Sequence, residues 1–305
     1  MIYYLTSSQN AALMQDFLDG FGSALARRIA IVNYQSLISG ETARVPTGTY
    51  VFTSFGQSLG SRTPPSDERK RVHKLHAGLI RHLGPQRVLN DPARSLRRLD
   101  LLRALHAEGL NRFTAYRAIE RHPDMHFPVF LRHELGTVWK APPLVESREA
   151  FEAQVDGLKN EAVLAIEFCR TADANGVYRK YGCFVVGERI VPRHLFFSRN
   201  WLVKSADIVD AAAVDEEMAY LSDNPHADVL RRVCKLANIG YGRIDYAVLD
   251  GVPQVWEINI TPQIVNNPAR DKPERQAAHA KFAESFCAAL EALDPPPTRT
   301  HDARV

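Results

Sequence analysis

Residues 242–262 read GRIDYAVLDGVPQVWEINITP. Two β-rich runs flank Asp250-Gly251, a turn dipeptide, so the stretch predicts an antiparallel hairpin. Side chains on a strand alternate between its faces. Arg243, Asp245 and Ala247 share one face, and Ile244, Tyr246 and Val248 share the other. On the second run Val255, Glu257 and Asn259 lie together, opposite in sense to Trp256, Ile258 and Ile260. Each run therefore has an apolar face and a face that carries its polar groups.

The register follows from matching those faces. A two-residue loop pairs Leu249 with Val252 and sets Asp245 against Trp256. A three-residue loop over 250–252 pairs Leu249 with Pro253 and Asp245 with Glu257, and both apolar faces then coincide. A slip of one residue turns every side chain over, so the three-residue loop is predicted. Two carboxylates directly opposite lie about 4.5–5.5 Å apart at Cβ and repel each other. A purely structural sheet gains nothing from that. A divalent cation between Asp245 and Glu257 removes the repulsion, and Asn259 adds a neutral oxygen one pleat further on. These hard donors suit Mg²⁺, with Mn²⁺ as the alternative. Arg243, on the same face, suits a phosphate oxygen or a developing oxyanion. A lone carboxylate here would read as a solvated strand face; the opposed pair with an Asn and an Arg favours the metal site.

The rest of the composition sets bounds. A chain of 305 residues exceeds one ordinary domain, so two or more packed units are expected. Hydrophobic residues at 45% and charged residues at 24% match a soluble globular protein. A net charge of +3 is too weak to argue for nucleic-acid or membrane binding, and neither is expected. Arg and His dominate the basic residues of the first 135 positions; a solvated face is the ordinary reading for most of them. Cys169, Cys183, Cys234 and Cys287 show neither C-x-x-C nor zinc-finger spacing, which predicts reduced thiols in a cytoplasmic protein. The opening MIYYLTSSQNAALMQDF lacks a basic region and a long apolar run, so no signal peptide is expected. No stretch approaches the roughly 18–20 apolar residues of a membrane span.

Strands predicted at 2–6, 28–34, 48–55 and 86–90 alternate with helical patterns near 11–26 and over 66–84, which argues for an α/β unit with a parallel sheet. A helix follows over 93–110, then strands at 127–136 and 162–169 around a helix at 147–158. A hairpin is predicted over 178–197 with Gly187 at its turn, helices over 210–238 broken near DNPHA, and a last helix over 273–293. The end, DPPPTRTHDARV, has the composition of a disordered tail.

The Arg-x-Asp strand followed by Glu-x-Asn and Pro resembles the C-terminal signature of the ATP-grasp superfamily, as carried by D-alanine–D-alanine ligases and ribosomal-protein glutamate ligases. The resemblance covers about residues 90–290. It implies two lobes clamping ATP, after an N-terminal Rossmann-like α/β domain. The implied divisions are an N-terminal domain at 1–90, a connecting helix and linker at 91–125, a small lobe at 126–205, a C-terminal lobe with the metal site at 206–293, and a tail at 294–305. The strand at 127–136 resembles the one that brings a phosphate-contacting Lys to a small loop; here the residue is Arg132, and the loop is His133 to Thr137. VLAIEFC resembles the hinge that meets adenine through backbone groups, giving Glu167, Phe168 and Cys169. Counting back from Gly109 places Arg98 where the family usually has Lys. Arg keeps the charge at both positions but grips phosphate as a planar fork. The residues after Asn259 lack the Gly-rich continuation of D-alanine ligases, which argues against D-alanine as substrate.

Other candidates are weaker. Lys180 and Arg179 begin the 178–197 hairpin, and Lys180 is placed with the ATP contacts by the resemblance; a solvated strand end is the competing reading. His194 reads best as a structural histidine. His73 and His76 sit at i and i+3 without further ligands, and Asp173 and Asn175 read as turn formers. No Walker loop, G-x-S-x-G or H-E-x-x-H occurs. The resemblance implies a carboxylate–amine ligase that forms ADP, phosphate and an amide through an acyl phosphate. Its partners are small-molecule or peptide acids and amines, with a homodimer left open. The alternatives are a kinase on the same ATP site and a nucleotide-binding regulator without turnover.

Overall fold

In a computed structural model of the chain, residues 1–33, 36–37, 46–53, 66–134, 141–264 and 272–294 are described. The expected tail from 295 onward and residues 135–137 of the expected phosphate loop lie outside them. The first unit comprises β1 (Ile2–Thr6), α1 (Ala11–Leu18), β2 (Ile29–Asn33), β3 (Thr49–Phe52), α2 (Ser66–Leu83) and β4 (Val88–Leu89). Its strands pair in parallel, in the order β2-β1-β3-β4. Helix α3 (Arg98–Ala107) starts five residues later than its apolar spacing suggests. The Asp91 carboxylate accepts the N–H groups of Ala93 and Arg94, and Leu96 N–H donates to Ala237 O, so the chain turns before it can coil.

A three-stranded antiparallel sheet follows, built from β5 (Ala115–Arg117), β6 (Val129–His133) and β7 (Val163–Glu167) in the order β5-β7-β6. Helix α4 (Arg148–Val155) packs on it and begins at Ser147, whose hydroxyl accepts Ala150 N–H. The largest sheet has the order β11-β10-β8-β9, from β8 (Tyr178–Val186), β9 (Arg189–Ser198), β10 (Tyr241–Leu249) and β11 (Val252–Asn259). Between and after these come α5 (Ala211–Ser222), α6 (Ala227–Ala237) and α7 (Gln276–Leu293). Sheet membership differs from the division read off the sequence. The 178–197 hairpin joins β10 through backbone pairing rather than the small lobe, and β5, inside the expected linker, is an edge of the small sheet.

Alternation sorts the large sheet into two faces. Cys183, Val185, Ile244, Tyr246 and Ile258 pack with α5 and α6. Phe184, Val186 and Tyr241 point the other way, onto α7 and the first unit, with Phe17 set edge-on to Phe286 at 5.3 Å. On this second face the apolar core stops, and Lys180, Asp245 and Glu257 continue it toward the small sheet.

The β10–β11 hairpin corrects one expectation. Its loop has two residues, not three: Leu249 pairs with Val252, and Asp250 and Gly251 both have positive φ, 50° and 76°. Such a turn matches the twist of the flanking strands. Asp245 nevertheless faces Glu257, because a bulge between Asp245 and Tyr246 takes up Trp256 as an extra residue. The bulge turns Val255 over. It joins Tyr246 and Ile258 in the core, while Trp256 leaves that face and packs near Phe113 at 5.9 Å. Asn111 braces this point by donating to Val255 O at 2.8 Å and accepting Val255 N–H at 2.9 Å.

Asn90 ties the first unit to the large sheet in the same way. Its Nδ2 donates to Phe52 O and Tyr241 O, and its Oδ1 accepts Gly240 and Tyr241 N–H, all at 2.8–2.9 Å and buried. Truncating it leaves several buried backbone groups unpaired, each of which costs about 1–3 kcal/mol. Asn90→Ala is expected to lower the unfolding free energy by about 3 kcal/mol in urea titrations; an unchanged midpoint would show that water replaces the side chain.

Candidate active site

A cleft opens between the small sheet and the large one. Phe130, Phe168, Cys169, Trp201 and Trp256 line one part of it. Arg132, Lys180, Lys204, Asp245 and Glu257 line the rest. One part is thus aromatic and apolar, the other densely charged. Trp201 lies 5.0 Å from Phe130 and 5.4 Å from Phe168, ring centre to ring centre.

In the charged part each carboxylate is held by cations. Arg243 forks onto Asp245, Nε to Oδ1 at 2.7 Å and Nη2 to Oδ2 at 3.0 Å, and Lys180 Nζ lies 3.3 Å from Oδ2. Arg98 reaches from the first turn of α3 to pair with Glu257 through one Nη, and its other Nη donates to Glu134 O. With Arg132 and Lys204 the cleft gathers five cations around two carboxylates. Arg179 is not among the surplus, because Asp173 and Glu216 neutralise it.

These charges shift each other. Burial by itself would raise the Asp245 carboxyl, but Arg243 and Lys180 outweigh it and hold the group well below the usual carboxylate range. Burial lowers the Lys180 ammonium, against the pull of Asp245. Burial, with Arg132 beside it, brings Arg98 down to about 9, and burial brings Arg132 to about 10. Both guanidiniums are charged at neutral pH. Lys204 stands at the cleft mouth with an exposed side chain, yet its ammonium end falls to about 8 through desolvation and the nearby cations Lys180, Arg132 and Arg98.

No family model matches the chain. A D-alanine--D-alanine ligase of Clostridium perfringens (strain SM101 / Type A) is 25% identical over 153 residues, 48% of this chain and 49% of the relative. The chain thus spans about half the length of the curated relatives it matches. Among solved structures, ATP-grasp ligase PsnB complexed with precursor peptide PsnA2 and AMPPNP aligns over 96% of both chains, with a TM-score of 0.55 and 15% identity. PsnB complexed with a phosphomimetic variant of minimal precursor, Mg and ADP aligns over 95% of this chain and 96% of that one, also at 0.55 and 15%. The chain has the ATP-grasp fold.

Within that ATP-grasp frame, the residues singled out from sequence fall into two groups. Arg132, Phe168, Cys169, Lys180, Asp245 and Glu257 line one cleft, with Arg98 and Arg243 bound to its carboxylates. Glu167 and Asn259 are placed differently. Glu167 is buried, its carboxylate accepts Thr114 and His126 N–H, and its own N–H donates to Thr114 O. Phe168 N–H donates to Pro128 O. Both of these N–H groups are therefore bonded within the protein. Asn259 pairs with Arg243 across the ladder, and its Oδ1 accepts Thr261 N–H at 2.9 Å. Burial raises the Cys169 thiol to about 11, so it stays neutral.

His194 is buried, stacks on Phe196 at 4.0 Å, and lies so close over Gly182 that a Cβ there would sit 2.4 Å from its ring. Burial and surrounding cations hold it well below the usual histidine range. Phe130, Trp201, Lys204 and Trp256 are among the cleft residues that sequence reasoning missed or faced wrongly. Lys204 and Trp201 follow β9 in an irregular stretch with no periodicity to mark them.

Asp245, Glu257 and Asn259 lie on one face of the β10–β11 ladder, with Asp245 opposite Glu257 and Asn259 opposite Arg243. Among the described residues no three His, Cys, Asp or Glu side chains gather to hold a metal ion. Two opposed carboxylates and a carboxamide still form a hard-oxygen donor set, which fits a small divalent ion completed by water and phosphate oxygens. The guanidiniums and ammonium now on the carboxylates neutralise the same charge.

Lys204 gives a pH prediction. Its ammonium is charged below about 8 and attracts an anion; above that pH the charge is lost. ATP affinity, measured calorimetrically, is expected to decline between pH 7 and 9, and Lys204→Arg should flatten the decline. An equally steep decline in the Arg variant would assign it to another group.

Proposed function

We propose that the protein is an ATP-dependent ligase that joins a carboxylic acid to an amine through an acyl phosphate and releases ADP and phosphate. The observation that carries this reading is the cleft itself: one aromatic part and one cationic part around an opposed carboxylate pair. A nucleotide has the same division, a flat apolar base and a polyanionic tail. The five cations exceed the two carboxylates by three charges, which suits a triphosphate. Similarity to a D-alanine--D-alanine ligase and to the ATP-grasp ligase PsnB supports the class of reaction.

The base would lie among Phe130, Phe168, Trp201 and Trp256. Arg98, Arg132, Lys180 and Lys204 would hold the phosphates and balance charge as the γ-phosphoryl group moves. Asp245, Glu257 and Asn259 would hold Mg²⁺, which when bound supplies charge neutralisation and orients phosphate oxygens. A carboxylate oxygen of the acid attacks the γ-phosphorus, and the bond to the β-phosphate oxygen breaks to release ADP. The amine nitrogen then attacks the acyl carbon. Arg243, kept in place by its fork on Asp245, stabilises the oxyanion, and collapse expels phosphate and leaves the amide. The amine gives up its proton in this step, and no protein nucleophile is needed.

The test is a screen of acids and amines for ADP release. Phosphate release that requires both substrates, and trapping of the acyl phosphate by hydroxylamine as a hydroxamate, are the expected results. Asp245→Asn with Glu257→Gln should cut turnover by about 100-fold or more. Phosphate retained on a hydroxyl product would make the protein a kinase. If Mg-ATP fails to bind the intact protein, the ligase reading is wrong.

A further inference from the structure

A second cavity, of about 370 Å³, lies beyond Arg98 from the cleft. Its walls come from α2, the 92–97 turn, the start of α3, and Arg117 and Glu134 at the ends of β5 and β6. Arg98 links the two: one Nη pairs with Glu257 in the cleft, and the other donates to the backbone of Glu134, which lines the cavity.

The charges in this cavity are of two kinds. Arg117 is committed, bound to Glu134 at 3.5 Å and donating to Glu161 O at 2.7 Å. Arg69, Arg94 and Arg97 also line the cavity, and no hydrogen bond or ion pair joins their guanidiniums to a described residue. Arg69 and Arg94 are exposed, as solvated surface arginines usually are. Arg97 is half-buried in the cavity wall. Of the acids that line the cavity, Glu134 is taken by Arg117, Glu68 has an interaction of its own, and Asp100 has no partner among the described residues. Three forked cations against one carboxylate favour an anionic ligand, and the guanidinium fork matches carboxylate in particular. The volume suits a small acid or a short run of peptide.

We infer that this cavity holds the acid substrate, and that the acid carries at least two carboxylates: one directed past Arg98 for activation, the others bound by Arg69, Arg94 and Arg97. The inference rests on the ligase reading for the role of the bound acid, but not for the binding itself. The ligand is either a free polycarboxylic acid or the acidic side chains of a peptide.

Calorimetry on the intact protein separates these, with and without AMPPNP, using tricarballylate and pentaglutamate as probes. Saturable binding of at least one probe is expected. Arg97→Ala and the double variant Arg69→Ala/Arg94→Ala should each weaken it about tenfold. AMPPNP affinity should change less than about twofold, which also shows that the variants are folded. Pentaglutamate binding at least tenfold tighter than tricarballylate assigns the peptide source; the reverse assigns the free acid. The inference is overturned if neither probe binds the wild type or if the arginine variants bind like it. Arginine-dependent acid binding in a protein that does not bind AMPPNP would sink the ligase reading and leave the cavity standing.

Discussion

Two carboxylates face each other across the β10–β11 ladder, and the rest of the site is arranged to make that tolerable. Asp245 and Glu257 occupy opposite positions where like charges repel. Arg243 and Lys180 from the same sheet hold one of them, and Arg98 from α3 holds the other. The compensation therefore joins parts of the chain that are distant in sequence. Removing the carboxylates would leave buried cations without partners, and removing the cations would leave buried acids. The pair thus fixes the position of α3 relative to the large sheet as much as it defines a site.

That arrangement depends on a backbone irregularity. The tight two-residue turn of the hairpin by itself would set Asp245 against Trp256. One extra residue at the bulge restores the carboxylate pair and swings Trp256 toward the small sheet. The bulge interrupts the ladder on an edge strand, and Asn111 supplies the missing bonds to Val255 with its carboxamide. The same device recurs at Asn90, where one side chain satisfies backbone groups of two sheets. A buried bidentate pair also anchors the C-terminal helix: Arg275 forks onto Glu217 of α5, at 2.6 and 2.9 Å. Units that share apolar cores are thus also joined by a few buried polar side chains, each with its partners in place.

Much of the site was legible because it lies in regular structure. Alternation placed Arg243, Asp245, Glu257 and Asn259 on one strand face without reference to anything outside the hairpin. The pairing of Asp245 with Glu257 was also accessible, since matching faces demands it, although the loop length inferred with it was wrong. A one-residue bulge and a one-residue change in loop length cancel in their effect on that pair. They differ only in where they put Val255 and Trp256, which is where the strand pattern failed. Lys204 and Trp201 left no periodic trace, because the chain between β9 and α5 is irregular. The Glu167 carboxylate was illegible for another reason: its partners Thr114 and His126 come from outside its own strand.

The sequence by itself determined most of the strands and helices, the polar face of the hairpin and its opposed acids, because these depend on local periodicity of two or 3.6 residues. Only the tertiary structure decided what surrounds that face. Lys180 on Asp245, Arg98 on Glu257, the aromatic wall of the cleft and the arginine-lined cavity beyond Arg98 are brought together from different segments of the chain. No local pattern encodes their meeting. It results from burying separate apolar faces in common cores and satisfying the polar groups caught between them.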